Sequence, residues 1–398
     1  MKTRNPISRR GFMAASSLQL LMARISRKAY ATAGEKRLRL WATGCPHVGN
    51  DIRRGRGRTP RESLADAIRQ SESADGFHWD VALCLGDFSG HQGIPPADEG
   101  REVVRQFGAL RKHGREQFYC LGGNHDASPQ NAWFQHWIDP MGENPAASKV
   151  HPGRRPYPVQ GDWQRYCFRI GNLLFAMMSD RNDYAPPVGR IADGKGHGGR
   201  PPGAVTLETF NWWRDLVEQN PDAIIVSAHH HMLKETTATS GPWEGFRRDD
   251  ETDQWQSHTH GYFPDDGIHN RGAGYLYWLV DESQSPIDAR PDAQVFEKYL
   301  AANPGAMDLW IGGHSHMVPD AVVSGRTHME RKWDVNFLNC CALTKYHGGR
   351  APMSRLLTFV DGSDKVQVEC YLHTSDFAPK GWYHPASGTL RLSKPFEI

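Results

Sequence analysis

The sequence predicts an α/β protein in which strands and helices alternate and pack in layers. Apolar runs with the length of strands alternate with segments of helical periodicity through most of the 398-residue chain. Five of the predicted strands are also followed directly by clusters of His, Asp, Asn or Cys. Because ligands bind at the carboxyl ends of strands in open α/β sheets, these clusters mark one candidate site.

The first half of the chain supplies three strands and two helices. The predicted elements are, in order, a strand at 38–42, a helix at 61–73, a strand at 81–85, a helix at 102–113 and a strand at 117–121. The helix at 61–73 carries Leu64, Ala67 and Ile68 on one stripe, which is the spacing of an amphipathic helix. The run at 81–85 is continuously apolar, which is typical of a strand buried on both faces.

The second half of the chain continues the alternation. The predicted elements are a strand at 173–178, a helix at 207–218, a strand at 223–228, a helix at 294–302, a strand at 307–311 and closing strands at 335–338, 355–360 and 366–372. No internal repeat interrupts this order, which is that of an α/β layered fold.

The polar clusters are short and follow the strands in a fixed order. They are Gly44-Cys45-Pro46-His47, Gly86-Asp87, Gly122-Gly123-Asn124-His125-Asp126, His229-His230-His231 and Gly312-Gly313-His314-Ser315-His316. Each cluster alone has an ordinary explanation as a turn, a helix cap or a solvated loop. Turn chemistry does not explain why all five occur at strand ends, so together they predict a ligand-binding site.

Taken together, these motifs resemble those of the calcineurin-like metallophosphoesterases, and the resemblance covers residues 37–372. The family pattern is Asp-x-His, Gly-Asp, Gly-Asn-His-Asp/Glu, a His after a strand, and Gly-His-x-His. The resemblance implies a four-layer αββα sandwich, with two mixed sheets packed face to face and helices outside. It also implies a centre of two metal ions that activates a water for attack on a phosphate mono- or diester.

The resemblance also assigns residues of this sequence to roles. The seven metal ligands are Cys45, His47, Asp87, Asn124, His229, His314 and His316. Asp87 would bridge both ions, and His229 is taken because the family ligand is the first His after the strand. His125 and Asp126 of the third cluster are assigned as catalytic, with His125 as proton donor to the leaving group or as a transition-state stabiliser.

One position departs from the family pattern, because Cys45 stands where the family has its first carboxylate. A Cys45 thiolate would favour Zn or Fe at the first site, whereas an amide oxygen from Asn124 and the imidazoles also admit Mn. The alternative is that this site has lost one ion or that the protein is inactive. We expect ligation by Cys45, since a thiol is a competent metal ligand.

The N-terminal residues 1–31 have the form of a twin-arginine (Tat) signal peptide. The string Ser8-Arg9-Arg10-Gly11-Phe12-Met13 precedes a modest apolar stretch and the small-x-small site Ala29-Tyr30-Ala31. The signal predicts that the Tat machinery exports the folded protein to the periplasm or the exterior.

Charge and composition exclude other classes. The net charge of the chain is +2, but residues 1–31 hold seven basic residues and no acidic ones, so the remainder has a net charge of −5. An acidic mature chain is a poor stable partner for nucleic acid, which also disfavours a nuclease. No apolar run approaches the ~20 residues that cross a bilayer, so no integral membrane segment is expected. The seven cysteines do not form a disulfide pattern.

Two further segments are interpreted by their position. Residues 232–292 form a long aromatic-rich insertion, which we interpret as a cap that helps to select the phosphate-ester substrate. Residues 373–398 are expected to be a C-terminal tail.

The hypothesis that competes with a phosphoesterase is a noncatalytic or single-metal binding protein on the same scaffold, as in the retromer sorting complex. The presence of His125 with almost all of the ligands argues against it, since a scaffold does not need them.

Overall fold

The computed structural model describes most of the chain beyond the predicted signal peptide. The described residues are 36–49, 62–189, 202–241, 245–248, 255–258, 274–345, 351–373 and 377–398. The Tat signal predicted at 1–31 lies outside them.

The first large sheet has seven strands and is mixed. Its strands are β1 (Arg37–Thr43), β2 (Val81–Cys84), β3 (Phe118–Cys120), β16 (Met353–Val360), β17 (Lys365–Leu372), β18 (Gly381–Trp382) and β19 (Gly388–Arg391). The order is β18-β17-β16-β1-β2-β3, and β19 also pairs with β17. Strands β1, β2 and β3 are parallel, so their carboxyl ends lie at one edge of the sheet.

The second large sheet also has seven strands. They are β4 (Gln160–Gly161), β5 (Arg165–Ile170), β6 (Leu173–Met178), β8 (Ile224–His229), β13 (Leu309–Gly312), β14 (Met329–Lys332) and β15 (Val335–Asn339). The order is β14-β15-β13-β8-β6-β5-β4. The four central strands, β15, β13, β8 and β6, are parallel to one another. The antiparallel strands β14, β5 and β4 lie at the two sides.

Alternation of side chains along the strands explains how the two sheets pack. Leu38 and Leu40 of β1 point into a shared core with Phe175 of β6 and Val226 of β8. Trp41, which lies between the inward positions of β1, points to the opposite face and packs in a separate cluster. Burial of each such side chain stabilises the fold by about 1.5–3 kcal/mol. The two sheets therefore pack face to face, as the family resemblance implies.

Helices cover the outer faces of both sheets. They are α1 (Ser63–Ser73), α2 (Ala97–Phe107), α3 (Ala132–Trp137), α4 (Pro145–Ser148), α5 (Leu207–Glu218) and α6 (Val295–Ala302). Single 3-10 turns lie at Arg115–Gln117, Asn124–Asp126, Pro129–Asn131, Pro152–Arg154 and His384–Ala386. Side chains of α1, α2 and α3 pack on the outer face of the first sheet, and those of α5 and α6 pack on the second. The mixed α/β fold with two large sheets is thus confirmed.

A third, smaller sheet includes part of the predicted insertion. Its strands are β7 (Gly203–Thr206), β11 (Leu276–Asp281) and β12 (Asp288–Pro291), in the order β12-β11-β7. Two further strands, β9 (Gly245–Arg248) and β10 (Trp255–His258), pair antiparallel. The rest of the insertion, at 242–244, 249–254 and 259–273, lies outside the described residues.

Two segments differ from the sequence-based expectation. The helix predicted at 102–113 lies at Ala97–Phe107, because it begins directly after Pro96, with acidic residues in its first turn, and ends before Gly108. Residues 373–398 do not form a separate tail. They add β18 and β19 to the first sheet, and Phe396 is fully buried in the core between the sheets.

None of the helices in the described ranges combines the length and the apolar character that a bilayer-spanning helix requires.

Candidate metal centre

The predicted ligands converge where parallel strands of both sheets end. Cys45 and His47 follow β1, Asp87 follows β2, and Asn124 follows β3. The second sheet brings the histidine triplet at the end of β8 and the Gly-His-x-His motif after β13. Since β8 and β13 are parallel neighbours and the two sheets share a core, all five loops meet at one end of the sandwich.

Four of the predicted ligands have strained backbones. Cys45, His47, Asp87 and His314 have positive φ angles of 48°, 43°, 58° and 66°. Side chains other than glycine rarely adopt this left-handed conformation, and residues held in it concentrate at functional sites. The tight turns after β1, β2 and β13 therefore hold side chains in place at an energetic cost that packing elsewhere must offset.

Two glycines allow the turn after β2 and the turn after β3 to approach each other. A Cβ atom on Gly86 would lie 2.4 Å from the backbone nitrogen of Gly123, and one on Gly123 would lie 2.3 Å from Oδ1 of Asp87. Both distances are far below normal contact. The Gly-Asp and Gly-Asn-His-Asp motifs thus need their glycines so that Asp87 and Asn124 can lie side by side.

Asp87 lies at the middle of the site and is almost completely buried. Its Oδ2 atom is 3.1 Å from Nε2 of His230 and 3.5 Å from Nε2 of His47. Its Oδ1 accepts a hydrogen bond of 2.8 Å from the backbone N–H of His125. Burial alone would raise the pKa of Asp87, but the surrounding histidines, His230 first, hold the pKa well below its usual value. The carboxylate is therefore ionised and faces histidines on two sides.

The first group of donor atoms comprises Cys45, His47 and His316, whose ligand atoms lie within 4.8 Å of one another. Nε2 of His47 is 3.2 Å from Nε2 of His316. Nδ1 of His47 lies 3.0 Å from the carbonyl oxygen of Ser89, which can only accept, so Nδ1 carries the proton and Nε2 has the lone pair. The Cys45 sulfur lies 3.9 Å from Oδ2 of Asp87.

Burial, followed by the nearby negative charge of Asp87, raises the pKa of the Cys45 thiol well above its usual value. The thiol would therefore stay protonated without a cation beside it. Metal ions lower the pKa of thiols that ligate them, so ligation would reverse this preference.

The second group is built on His230, not on His229. Nδ1 of His230 lies 2.5 Å from the carbonyl oxygen of Leu85, which places the proton on Nδ1. Nε2 of His230 then faces Oδ2 of Asp87 and lies 3.2 Å from Nδ1 of His314. A backbone carbonyl that fixes one ring nitrogen while the other faces a site is typical of metal-binding histidines.

His229, which the sequence assigns as a ligand, faces away from Asp87. Its Nδ1 accepts a hydrogen bond of 2.9 Å from the backbone N–H of His231. Burial lowers the pKa of His229 to about 3, so the ring is neutral and carries its single proton on Nε2. Neither ring nitrogen then has a lone pair for a cation. The geometry places His230 where the sequence analysis expected His229.

Strand alternation explains the difference. Ile224, Val226 and Ala228 of β8 point into the core between the sheets, and His230 continues this series toward Asp87. Ile225 points to the opposite face, and His229 continues that other series. The alternation of β8 thus separates His229 from His230, but because the strand is buried on both faces the sequence alone does not show which of the two faces Asp87.

Asn124 is buried beside this second group, and its Oδ1 atom has no hydrogen-bond partner among the described residues. A buried carbonyl oxygen without a partner is costly. The preceding residue, Gly123, packs directly against Asp87, whose carboxylate is grouped with imidazole nitrogens in a set of oxygen and nitrogen donors suited to transition-metal ions. The residues present thus fit a bound cation.

His125, assigned as catalytic, lies at the edge of this cluster. Its ring contacts the ring of His47 edge to face, with centroids 4.7 Å apart. Nδ1 lies 2.9 Å from the carbonyl oxygen of His91, so Nδ1 carries a proton and Nε2 is the nitrogen that would exchange one with a substrate.

Asp126, the other residue assigned as catalytic, has a different environment. Its Oδ2 accepts hydrogen bonds of 2.9 Å from the backbone N–H groups of Asp87 and Gly123, and its Oδ1 accepts one of 3.0 Å from Ser89. Burial raises the pKa of Asp126 to about 7, and the charge of Asp87 adds to this effect. The geometry indicates that Asp126 joins the two loops that carry Asp87 and Asn124.

The sequence analysis did not single out Asp180, which the structure places near the centre. Asp180 follows the end of β6, the parallel neighbour of β8, and its Oδ2 lies 2.7 Å from Nδ1 of His231. The signal in the sequence that could have identified Asp180 is its position, because it follows the strand β6 in the same way as the predicted ligands follow their strands.

The match to a family model agrees with this architecture. Residues 38–318 match the family model described as calcineurin-like phosphoesterase. No curated protein matches the chain significantly. A conserved uncharacterized protein from Streptococcus pneumoniae TIGR4, described as a predicted phosphoesterase, is similar in structure. It is 8% identical with a TM-score of 0.29, over 91% of this chain and 99% of that one. The structure of PhoD is 10% identical with a TM-score of 0.44, over 92% of this chain and 73% of that one.

Proposed function

The chain belongs to the calcineurin-like phosphoesterase family, and from this premise we propose that it hydrolyses a phosphate mono- or diester at a centre of two metal ions. The observation that carries the proposal is the arrangement around Asp87. One carboxylate oxygen faces a histidine of each donor group, His47 on one side and His230 on the other. A carboxylate in this position is suited to bridge two cations.

The proposed ligands divide between the two ions. Asp87 is shared, and the first ion is held by Cys45, His47 and His316. The second ion is held by Asn124, His230 and His314. Sulfur at the first site favours Zn or Fe, whereas oxygen and nitrogen at the second also admit Mn.

When bound, such ions supply Lewis-acid polarisation of the phosphoryl oxygens and a nucleophile formed from water at neutral pH. The chain's own residues orient and protonate the substrate. His314 and His316 are partly exposed whereas Cys45, His47 and Asp87 are buried, so the ester approaches from the side of the Gly-His-x-His loop. Nε2 of His125 donates a proton to the leaving oxygen, while the carbonyl of His91 holds the other nitrogen.

The experiment is a substrate screen with purified protein whose metal content has been measured. The substrates are p-nitrophenyl phosphate, bis-p-nitrophenyl phosphate, nucleotides and phospholipid head groups, each with and without a chelator. We expect hydrolysis of at least one class, abolished by chelation and restored by Zn²⁺, Fe²⁺ or Mn²⁺. A protein that holds two ions but cleaves none of these esters would support the noncatalytic alternative.

We also propose that the protein is exported through the Tat machinery to the periplasm or the exterior. The motif around Arg9 and Arg10 supports this, as does the finding that all seven cysteines are unpaired. Combined substitution Arg9→Lys and Arg10→Lys should leave folded protein in the cytoplasm, because Lys does not reproduce the geometry of paired guanidinium groups. Arg4→Lys is the control and should be exported. Normal export of the double variant, measured by cell fractionation, would contradict the Tat route.

A further inference from the structure

The contact between Asp180 and His231 lies directly behind the second group of donor atoms. Oδ2 of Asp180 is 2.7 Å from Nδ1 of His231, which is within ion-pair distance. Asp180 is 1% exposed and His231 is fully buried. A carboxylate and an imidazole in so dry an environment hold each other strongly, so the pair is a fixed feature of the interior.

Asp180 is itself held on three sides. Its Oδ1 accepts a hydrogen bond of 3.3 Å from the backbone N–H of Ala204 in β7. Its backbone N–H donates to the carbonyl of Gly122, two residues before Asn124. The next residue, Arg181, donates its backbone N–H to the carbonyl of Ala204. The carboxylate therefore connects the second large sheet, the small sheet and the loop that carries Asn124.

His231 is equally constrained. Its backbone N–H donates to His229, and its carbonyl accepts a hydrogen bond of 3.2 Å from Nε1 of Trp310. On one side of the ring lies Gly203, where a Cβ atom would come within 2.6 Å of Cγ of His231. The close approach of β7 leaves the ring little freedom.

The ring of His231 stacks on the ring of His314, with centroids 4.0 Å apart and planes inclined by 35°. The ring pairs that face each other as proposed co-ligands are more widely spaced, at 5.2 Å for His230 with His314 and 5.1 Å for His47 with His316. The closer ring contact favours a supporting role for His231 over shared ligation, although the donor atoms of His230, His231 and His314 also lie within 4.8 Å of one another.

A third metal site on Asp180, His229 and His231 is the competing interpretation, because their donor atoms also lie within 4.8 Å of one another. Two observations oppose it. His229 has no lone pair available, since its Nδ1 accepts a backbone hydrogen bond. The 2.7 Å between Asp180 and His231 is also shorter than the roughly 3.3 Å expected between two ligands of one tetrahedral ion.

We propose that Asp180 and His231 are positioning residues for the second metal ion. Asp180 fixes the ring of His231, and the ring of His231 holds His314 in its ligating orientation. The histidine triplet then has three separate tasks. His229 anchors the backbone of His231, His230 binds the ion, and His231 supports His314. This inference rests on the two-ion centre of the proposed function.

The test measures binding of Zn²⁺ to the metal-free protein in competition with a chelating dye, which resolves two binding steps in the wild type. A His316→Gln variant identifies the step that belongs to the first ion, because His316 is a proposed ligand of that ion alone. Asp180→Asn should weaken the other step by about 10–100-fold and leave the first step unchanged. Asp183→Asn is the matched control. It lies on the same segment and contacts Arg181, not His231, so it should keep both steps.

The variants must be folded, which circular dichroism and a cooperative thermal transition establish. If Asp180→Asn does not fold, His231→Gln is the deciding variant, and the same selective loss of affinity for the second ion is expected.

A folded Asp180→Asn protein that binds Zn²⁺ in both steps with wild-type affinity would overturn the inference. Weakening of the binding step that His316→Gln identifies would also overturn it. A wild type that binds one Zn²⁺ would overturn it together with the two-ion proposal. A wild type that binds two Zn²⁺ but cleaves no ester would overturn the proposed hydrolysis and leave the positioning role supported by its own binding data.

Discussion

Nε2 of His230 lies 3.1 Å from Oδ2 of Asp87, while the ring of the preceding residue, His229, accepts a hydrogen bond from the backbone of His231. Adjacent residues of the same type therefore have different environments. The pair offers an internal comparison, because a substitution at either position removes the same chemical group from the same loop.

His230→Gln should lose the second ion and most of the activity, since no other nitrogen in the described structure takes its position against Asp87. His229→Gln should keep both ions and lose only about 1 kcal/mol of stability, through its weakened hydrogen bond to His231. Metal analysis of both purified variants is the measurement. If His229→Gln lost an ion while His230→Gln kept both ions, His229 would be the ligand, as the sequence analysis assigned it.

Asp87→Ala should lose both ions, because the same carboxylate faces His47 and His230. Asp139→Ala is a suitable control, since Asp139 is equally buried but its carboxylate accepts hydrogen bonds from the backbone N–H of Glu143 and the hydroxyl of Ser148. The control should keep both ions even if it unfolds more easily. An Asp87→Ala protein with full metal content would remove Asp87 from the bridging position.

His125→Ala should lower turnover by about 10²–10⁴-fold while metal content stays at the wild-type level. The reason is that His125 lies beside the proposed ligands with Nδ1 held by a carbonyl, which leaves Nε2 for proton transfer. Steady-state kinetics and metal analysis on the same preparation separate the two effects. If metal content fell in proportion to activity, His125 would be a ligand and not the proton donor.

Cys45→Ser should lose the first ion preferentially, because a hydroxyl is a far weaker ligand than a thiolate at neutral pH. Cys45→Asp should keep two ions and shift the preference from Zn or Fe toward Mn, as a carboxylate replaces sulfur. The measurement is the metal content of the wild type, Cys45→Ser and Cys45→Asp after growth of the cells in defined metal mixtures. If Cys45→Ser equals the wild type in stoichiometry and rate, the first site is completed by another group.

Glu297→Gln should stabilise the protein at pH 8 but not at pH 5. Burial raises the pKa of Glu297 to about 7, so between the unfolded pKa near ~4.3 and about 7 the folded state holds the extra proton. Unfolding stability therefore falls as the pH rises through that window. Gln keeps the acceptor for the backbone N–H of Lys234, which lies 2.8 Å from Oε1.

The expected gain at pH 8 is at most ~4 kcal/mol in the free energy of unfolding, measured by urea denaturation at both pH values. Glu218→Gln, which changes an exposed carboxylate, controls for loss of charge. An equal effect of Glu297→Gln at pH 5 and pH 8 would show that the buried carboxyl does not change protonation in this range.

Much of the fold could be predicted from the sequence because the strands are short, apolar and regularly spaced. The strand at Leu173–Met178 and the helix at Leu207–Glu218 lie where the pattern places them. β5 and β7 were missed, since Arg165–Ile170 mixes charged with apolar residues and Gly203–Thr206 is only four residues long. Their strand character comes from pairing with β6 and β11, which is tertiary in origin.

The sequence by itself determined which residue types stand at the ends of the strands, and hence the chemistry available to the site. Only the tertiary structure decided which histidine of the triplet faces Asp87. The alternation along β8 divides His229 from His230 in any arrangement, but the burial of Ile224, Val226 and Ala228 against the first sheet determines which of the two faces is inward. Since both faces of β8 are apolar, the sequence pattern is the same for either orientation, and packing of the two sheets makes the choice.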